Sequence, residues 1–208
     1  MSAKDCGHHG YKRKKHLRRF CACFFFLCFI VLIVVLVIFL VLRPSKPHFT
    51  LQDTTIYQFN LSSPNFLSSN LQVTVASRNP NDRIGIYYDR LDVYASYRNQ
   101  QITLPTSLPP TYQGHKDVNV WSPYVAGTAI PIAPFLAVAL SQDTQVGMIL
   151  VNIKVDGRVR WKVGTWISGR YHLNVNCPAY LTFGSKFSGV NVGPAVKYQL
   201  DRQCSTDV

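Results

Sequence analysis

Residues Phe20–Leu42 read "FCACFFFLCFIVLIVVLVIFLVL", with no charge, no proline and no polar side chain beyond cysteine. As a helix rising 1.5 Å per residue, the run spans roughly 34 Å, enough to cross a hydrocarbon core about 30 Å thick with slight tilt. Its Leu, Ile, Val and Phe residues together favour insertion by ~6 to 9 kcal/mol. The core helix of a soluble domain keeps a polar face, which this run lacks. A cleavable signal has an apolar stretch of about 7–15 residues that leads into a small-residue cleavage site. Here the run ends in Arg43-Pro44-Ser45-Lys46-Pro47. The sequence therefore predicts an uncleaved transmembrane helix at 20–42, a leader at 1–19, a short stiff spacer at 43–48 and a domain at 49–208.

Charge sets the expected orientation. Lys12, Arg13, Lys14, Lys15, Arg18 and Arg19 crowd the leader as "KRKKHLRR", whereas only Arg43 and Lys46 follow the run closely. Positive flanks stay cytoplasmic, so the N-terminus is expected inside and everything after Leu42 in a lumen or outside the cell. The formal net charge of +12 divides evenly. The first 42 residues hold seven basic residues and one acidic, and the remainder holds fifteen and nine. The six leader residues are candidate contacts for anionic inner-leaflet lipid. Nucleic acid is a poor partner for a chain of this topology.

The cysteines divide along the same line. Cys21 and Cys23, beside the basic block, are palmitoylation candidates. The histidines and Cys6 of the leader show no zinc spacing, and no metal or other cofactor is expected. Beyond the run only Cys177 and Cys204 remain, an even pair suited to a disulfide in an oxidising compartment. Asn60-Leu61-Ser62 is an N-glycosylation sequon for a lumenal or extracellular domain.

The domain reads as all-β. The stretches 48–59, 71–78, 90–104, 116–121 and 170–183 alternate apolar with polar residues and are broken by Pro, Gly and Asn turns. That pattern predicts an antiparallel β-sandwich. One helix is expected at 134–144, with Pro134 near its start and Gly147 past its end. Met148–Gly164 contains Asp156-Gly157, a dipeptide typical of hairpins. A turn there would mix core and solvent residues on one face. A continuous strand instead puts Ile149, Val151, Ile153, Val155, Val159, Trp161 and Val163 together, with a bulge or close approach at Gly157.

Chemistry is sparse. The chain has no glutamate, five of its nine later aspartates (Asp82, Asp89, Asp117, Asp156 and Asp201) read as scattered turn residues, and its later histidines are His48, His115 and His172. Neither a nucleophile elbow nor a phosphate-binding loop is present. No enzyme is expected. Two stretches carry unusual density. In "NPNDRIGIYYD", Asn79, Pro80 and Asn81 form a turn, Gly85 allows a bulge, and Arg83, Tyr87, Tyr88 and Asp89 group where solvent is expected. In "YQGHKDV", Tyr112, Gln113, Gly114, His115 and Lys116 precede a strand. Both are structural turns first, and together they are a candidate interaction surface.

With "GRVRWKVG" at 157–164 and the basic leader and anchor, these motifs resemble the plant proteins related to a non-race-specific disease-resistance protein and to hairpin-induced proteins. Their exterior part resembles a late embryogenesis abundant group 2 domain, and the likeness spans essentially the whole chain. It implies a seven-stranded, fibronectin-III-like sandwich at the plasma membrane and a non-enzymatic scaffold or sensor role in immune and stress responses. Expected partners are cytoplasmic immune-signalling proteins and extracellular wall or secreted ligands. A lysine usual in such turns is Asp82 here, and the Asn-Gly-Asp adhesion tripeptide proposed for a relative is absent. The alternative is a lipid-handling module with an acyl chain in the sandwich or in a groove near the bilayer.

Overall fold

The computed structural model describes residues 8–41, 44–62, 64–182, 190–192 and 195–208, with side chains at 19–36 of the first helix and none at 190–192. The chain falls into two compact units, Met1–Arg43 and Pro44–Val208. The first is helix α1, His8–Val41. It starts well before the apolar run, so the basic block is helical too. Its most apolar window, Arg19–Leu36, is unburied along its whole length. Cys21, Cys23 and Cys28 are exposed on it, as is Arg19. The side chains of Lys12, Arg13, Lys14, Lys15 and Arg18 lie outside the described residues.

The second unit runs, in chain order, β1 His48–Ser62, β2 Phe66–Arg78, β3 Ile84–Tyr97, β4 Gln100–Gln101, β5 Thr106–Leu108, β6 Thr111–Gln113, β7 Val118–Trp121, β8 Tyr124–Pro131, helix α2 Pro134–Val146, β9 Met148–Val163, β10 Trp166–Ile167, β11 Tyr171–Thr182, β12 Val190–Val192, β13 Ala195–Gln203 and β14 Ser205–Asp207. One sheet has the order β12-β13-β1-β2-β7, with β8 also on β2. The other has β14-β11-β9-β3-β4, with β5 and β6 on the free edge of β3 and β10 on β9. Neighbours pair antiparallel throughout. Seven of the described strands reach eight residues: β1, β2, β3, β8, β9, β11 and β13. This is the sandwich that the alternation and the family resemblance predicted.

The strands β1, β2, β3 and β9 bury one face each. Val93, Val151, Ile153, Val155, Leu71, Val73 and Leu51 are fully buried between the sheets, with Tyr88 edge-on to Phe49 and Trp121. Helix α2 is bounded as predicted: Pro134 opens it, and Gly147, at φ 90°, returns its N–H to Asp143 and Thr144 carbonyls. Its Leu136, Ala137 and Leu140 are buried, and Tyr97 Oη donates to Asp143 at 2.5 Å.

Three details depart from the sequence pattern. The stretch 90–104 is two strands, because Arg98 and Asn99 both take positive φ and close a tight hairpin into β4. Strands β8 and β13 were not legible. Gly85 makes no bulge; it is small because the ring of Tyr112 lies on it, 2.8 Å from where a Cβ would stand. The bulge falls at Asp89, where Tyr88 pairs with Val159 and Arg90 with Arg158. Asp156-Gly157 is no turn, as the alternation predicted: β9 is continuous, and Gly157 pairs with Leu91 and has the Arg90 carbonyl where a Cβ would stand.

Cys177 and Cys204 are joined, with Cα atoms 4.4 Å apart. Cys204 stands where the chain leaves β13, in one sheet, for β14, in the other. The bond therefore staples the two layers together.

Candidate interaction surface and the polar lock beside it

The motif residues divide into a buried group and an exposed group. Asn79 is fully buried. Its Nδ2 donates to the carbonyls of Ile84 (2.7 Å) and Gly114 (2.9 Å), and its Oδ1 accepts from the backbone N–H of Asn81 (3.0 Å) and from Asn81 Nδ2 (2.8 Å). All four hydrogen-bonding positions of that amide are used. Asn81 in turn exchanges two bonds with Ser45: Nδ2 donates to its carbonyl (2.9 Å) and Oδ1 accepts from its N–H (2.8 Å). The spacer expected at 43–48 is thus held against the domain from Ser45 onward, and Pro47 is buried.

Gln113 repeats the arrangement. It is fully buried, donates to the carbonyls of Ser77 (2.6 Å) and Asp117 (3.0 Å), and accepts from Tyr88 Oη at 2.8 Å. Burial pushes the Tyr88 phenol well above its usual value, which keeps it a neutral donor. Lys116, at φ 56°, reaches the Pro80 carbonyl (2.7 Å) and Asp82 (3.0 Å). Of the group expected at solvent (Arg83, Tyr87, Tyr88 and Asp89), Tyr88 is instead interior, and Asn79, Asn81 and Gln113 of the candidate interaction surface are interior too. Together they lock the β2–β3 and β6–β7 connections to each other. Arg83 and His115 remain exposed at the loops. Replacing Asn79 by Ala should strand buried carbonyls and cost about 2 kcal/mol. His115→Ala should change stability by less than about 0.5 kcal/mol. Chemical denaturation of both variants checks this.

The exposed group lies on the outer face of the β3–β9–β11 sheet. The bulge turns two successive charges, Asp89 and Arg90, toward solvent. Asp89 takes a bidentate pair from Arg160, with Nε 2.9 Å from both carboxylate oxygens, and a second contact from Arg170 Nε at 3.3 Å. Arg90 Nε donates to Asp92 at 2.9 Å, and Ser107 Oγ donates to the same carboxylate. Tyr94 Oη donates to Asp156 at 2.6 Å; its ionisation is pushed up to about 12, by burial first and by that carboxylate second. A groove of about 540 Å³ runs among Asp89, Arg90, Asp92, Asp156, Arg158 and Arg170. Asp89 and Asp156, which the sequence scattered at turns, thus share one surface with Asp92. At the next pair positions the rings of Tyr87 and Tyr112 lie 4.6 Å apart, with Lys162 Nζ over both and Arg160 over Tyr87. Charges recurring at every second residue, 158, 160 and 162, were the available signal for this row.

The outer face of the β1–β2–β7 sheet differs. It presents Tyr57, Tyr124, Val118 and Val120, all exposed, and the pair Lys197–Asp53 at 3.0 Å. Asn60 is exposed near the end of β1.

A profile described as late embryogenesis abundant protein matches residues 74–178. Among curated proteins of Arabidopsis thaliana, NDR1/HIN1-like protein 1 is 59% identical over 99% of this chain and all of its own length. NDR1/HIN1-like protein 12 is 56% identical over the whole of both chains. NDR1/HIN1-like protein 26 is 43% identical, with 83% of this chain and 80% of its own covered. A late embryogenesis abundant protein with a known solution structure is 14% identical, with 68% of this chain and 73% of that one covered at a TM-score of 0.34, a likeness too slight to bear on the fold. An apolar anchoring helix followed by a matched β-sandwich defines a membrane-anchored protein with a late embryogenesis abundant domain. The chain belongs to the NDR1/HIN1-like family, plant proteins related to stress and defence and not known as enzymes.

Proposed function

We propose that this is a non-enzymatic, single-pass plasma-membrane protein with its N-terminus in the cytoplasm and its sandwich outside the cell. There it acts as a scaffold or sensor in immune and stress responses. The observation that carries the outward placement is the Cys177–Cys204 bond, since disulfides persist in oxidising compartments. The basic block ahead of the span agrees with it. The leader would meet anionic lipid and cytoplasmic signalling proteins, and the sandwich would meet wall or secreted ligands. Cys21 and Cys23, exposed at the cytoplasmic end of the span, would take acyl chains there.

Protease treatment of intact plant cells, with tags at both ends and Asn60→Gln as a glycan control, tests the orientation. Loss of the C-terminal tag alone, and a glycan shift that disappears in the variant, is the expected result. A protected C-terminal tag without a glycan would overturn it and leave the domain in the cytoplasm.

The lipid-handling alternative draws on the apolar strip of Tyr57, Tyr124, Val118 and Val120. The space between the sheets is filled by fully buried side chains from Leu51 to Leu181, so an acyl chain would have to lie on the outside of the domain. Mass spectrometry of the purified protein for retained lipid decides between the two.

A further inference from the structure

We propose that the outer face of the β3–β9–β11 sheet binds a carboxylated polysaccharide, a chain of uronic-acid units lying along Arg158, Arg160 and Lys162. This deepens the outward placement above by naming the class of wall ligand. The three cations sit at alternate positions of one strand, so they form a straight row with steps of about 6.7 Å. With Arg90, Lys154 and Arg170 the face carries six of the fifteen basic residues that follow the span, against Asp89, Asp92 and Asp156.

The aspartates do not cancel the row. The Asp89 and Asp92 side chains are only 20% and 24% exposed, each held by arginine, and Asp156 holds Tyr94. The Arg90 and Arg170 side chains, at 71% and 65%, project beyond them. The carboxylates aim the guanidinium groups and leave N–H bonds free on the solvent side. Arg158 has no ion-pair partner among the described residues.

Three features favour an acidic sugar chain. A planar guanidinium fork fits a carboxylate through two parallel bonds. A straight row fits charges that repeat along a polymer better than a single headgroup. The Tyr87 and Tyr112 rings, tilted 41° to each other, give an apolar ledge beside the cations, and either ring face is suited to the C–H face of a pyranose ring. The opposite sheet offers no such row among its described residues: Lys197 is paired with Asp53, Arg78 stands alone at the end of β2, and Arg202 follows Asp201 at the end of β13.

The test uses the full chain in neutral-lipid nanodiscs, with the leader neutralised by Lys12→Gln, Arg13→Gln, Lys14→Gln, Lys15→Gln, Arg18→Gln and Arg19→Gln, which leaves Lys4 against Asp5, so that it does not bind polymer itself. Binding to immobilised polygalacturonate is measured against its fully methyl-esterified form. Arg158→Gln with Lys162→Gln and Arg170→Gln should weaken binding at least about tenfold. The charge-matched set Lys46→Gln, Arg78→Gln and Lys197→Gln should stay within about twofold. Arg158→Gln alone, which breaks no ion pair, should already weaken binding measurably. Equal loss in both sets, equal binding of the esterified polymer, or no binding at all would overturn the proposal. So would displacement by phosphatidylserine vesicles as effective as by free polygalacturonate, which would reassign the face to anionic lipid. Binding in nanodiscs does not depend on orientation in the cell, so this result and the protease result fail separately.

Discussion

Gly157→Ala should destabilise the domain by about 3 kcal/mol, a fall of roughly 10 °C in melting temperature for a domain of this size. An added methyl would overlap the Arg90 carbonyl and stand 2.7 Å from Leu91 Cδ2. The first obstacle is backbone, so relief requires β3 to move away from β9. The Arg90 carbonyl belongs to the bulge, where the register shifts between Tyr88 and Arg90. The glycine and the bulge are one feature, and the bulge also presents Asp89 and Arg90 to solvent. The variant should therefore lose polygalacturonate binding together with stability. Gly85→Ala is the control: there the obstacle is the mobile end of Tyr112, and a loss under about 1 kcal/mol is expected. Thermal melts of the two variants by circular dichroism check the contrast. Equal losses would mean that β3 yields as easily as a tyrosine ring.

Removing the Cys177–Cys204 bond should cost about 3.5 kcal/mol, the loop-closure value for a sequence separation of 27. Marginal domains hold only about 5–15 kcal/mol in all, so the unbridged domain should unfold well before the intact one. The effect has a spatial reason beyond loop length. Cys204 lies between β13 and β14, and among the described residues these final strands pair, apart from the short β12 hairpin, with β1 and β11. Without the bond, the last dozen residues depend on those edge ladders and the Cys204 N–H to Phe49 carbonyl bond at 2.9 Å. Reduction of the wild type and the Cys177→Ser/Cys204→Ser variant should give matching denaturation midpoints. A midpoint unmoved by reduction would show that packing alone holds the strap.

Much of this was legible before the fold was known, where one local pattern admitted one outcome. The apolar run read as a membrane-spanning helix, and its residues 20–41 lie within the helix His8–Val41. Seven odd-numbered apolar positions overruled the turn propensity of Asp156-Gly157, because register is costly to break and a dipeptide is not. Strand β13 was lost because its residues alternate weakly at a partly exposed edge. Strand β8 was lost because Gly127 and the positive φ of Ala129 interrupt it. The lock was misplaced for a different reason. Asparagine, glutamine and tyrosine read as surface residues unless their partners are known. The partners of Asn79 lie as far away as Gly114, and those of Asn81 reach back to Ser45. Satisfaction of a buried amide is a property of the assembled chain.

The Ser45–Asn81 exchange has a mechanical consequence. A tension applied through the tether meets those two bonds first, side by side, before it reaches β1. Pulling on the start of β1 then acts along the strand, against ladders to β2 and β13 loaded in parallel. That is a shearing geometry, in which many hydrogen bonds share the force, in contrast to peeling, which breaks them one at a time. A domain gripping a solid matrix on one face and fixed to a membrane by its N-terminal strand would stay folded under traction that would unzip a sandwich tethered through a loop.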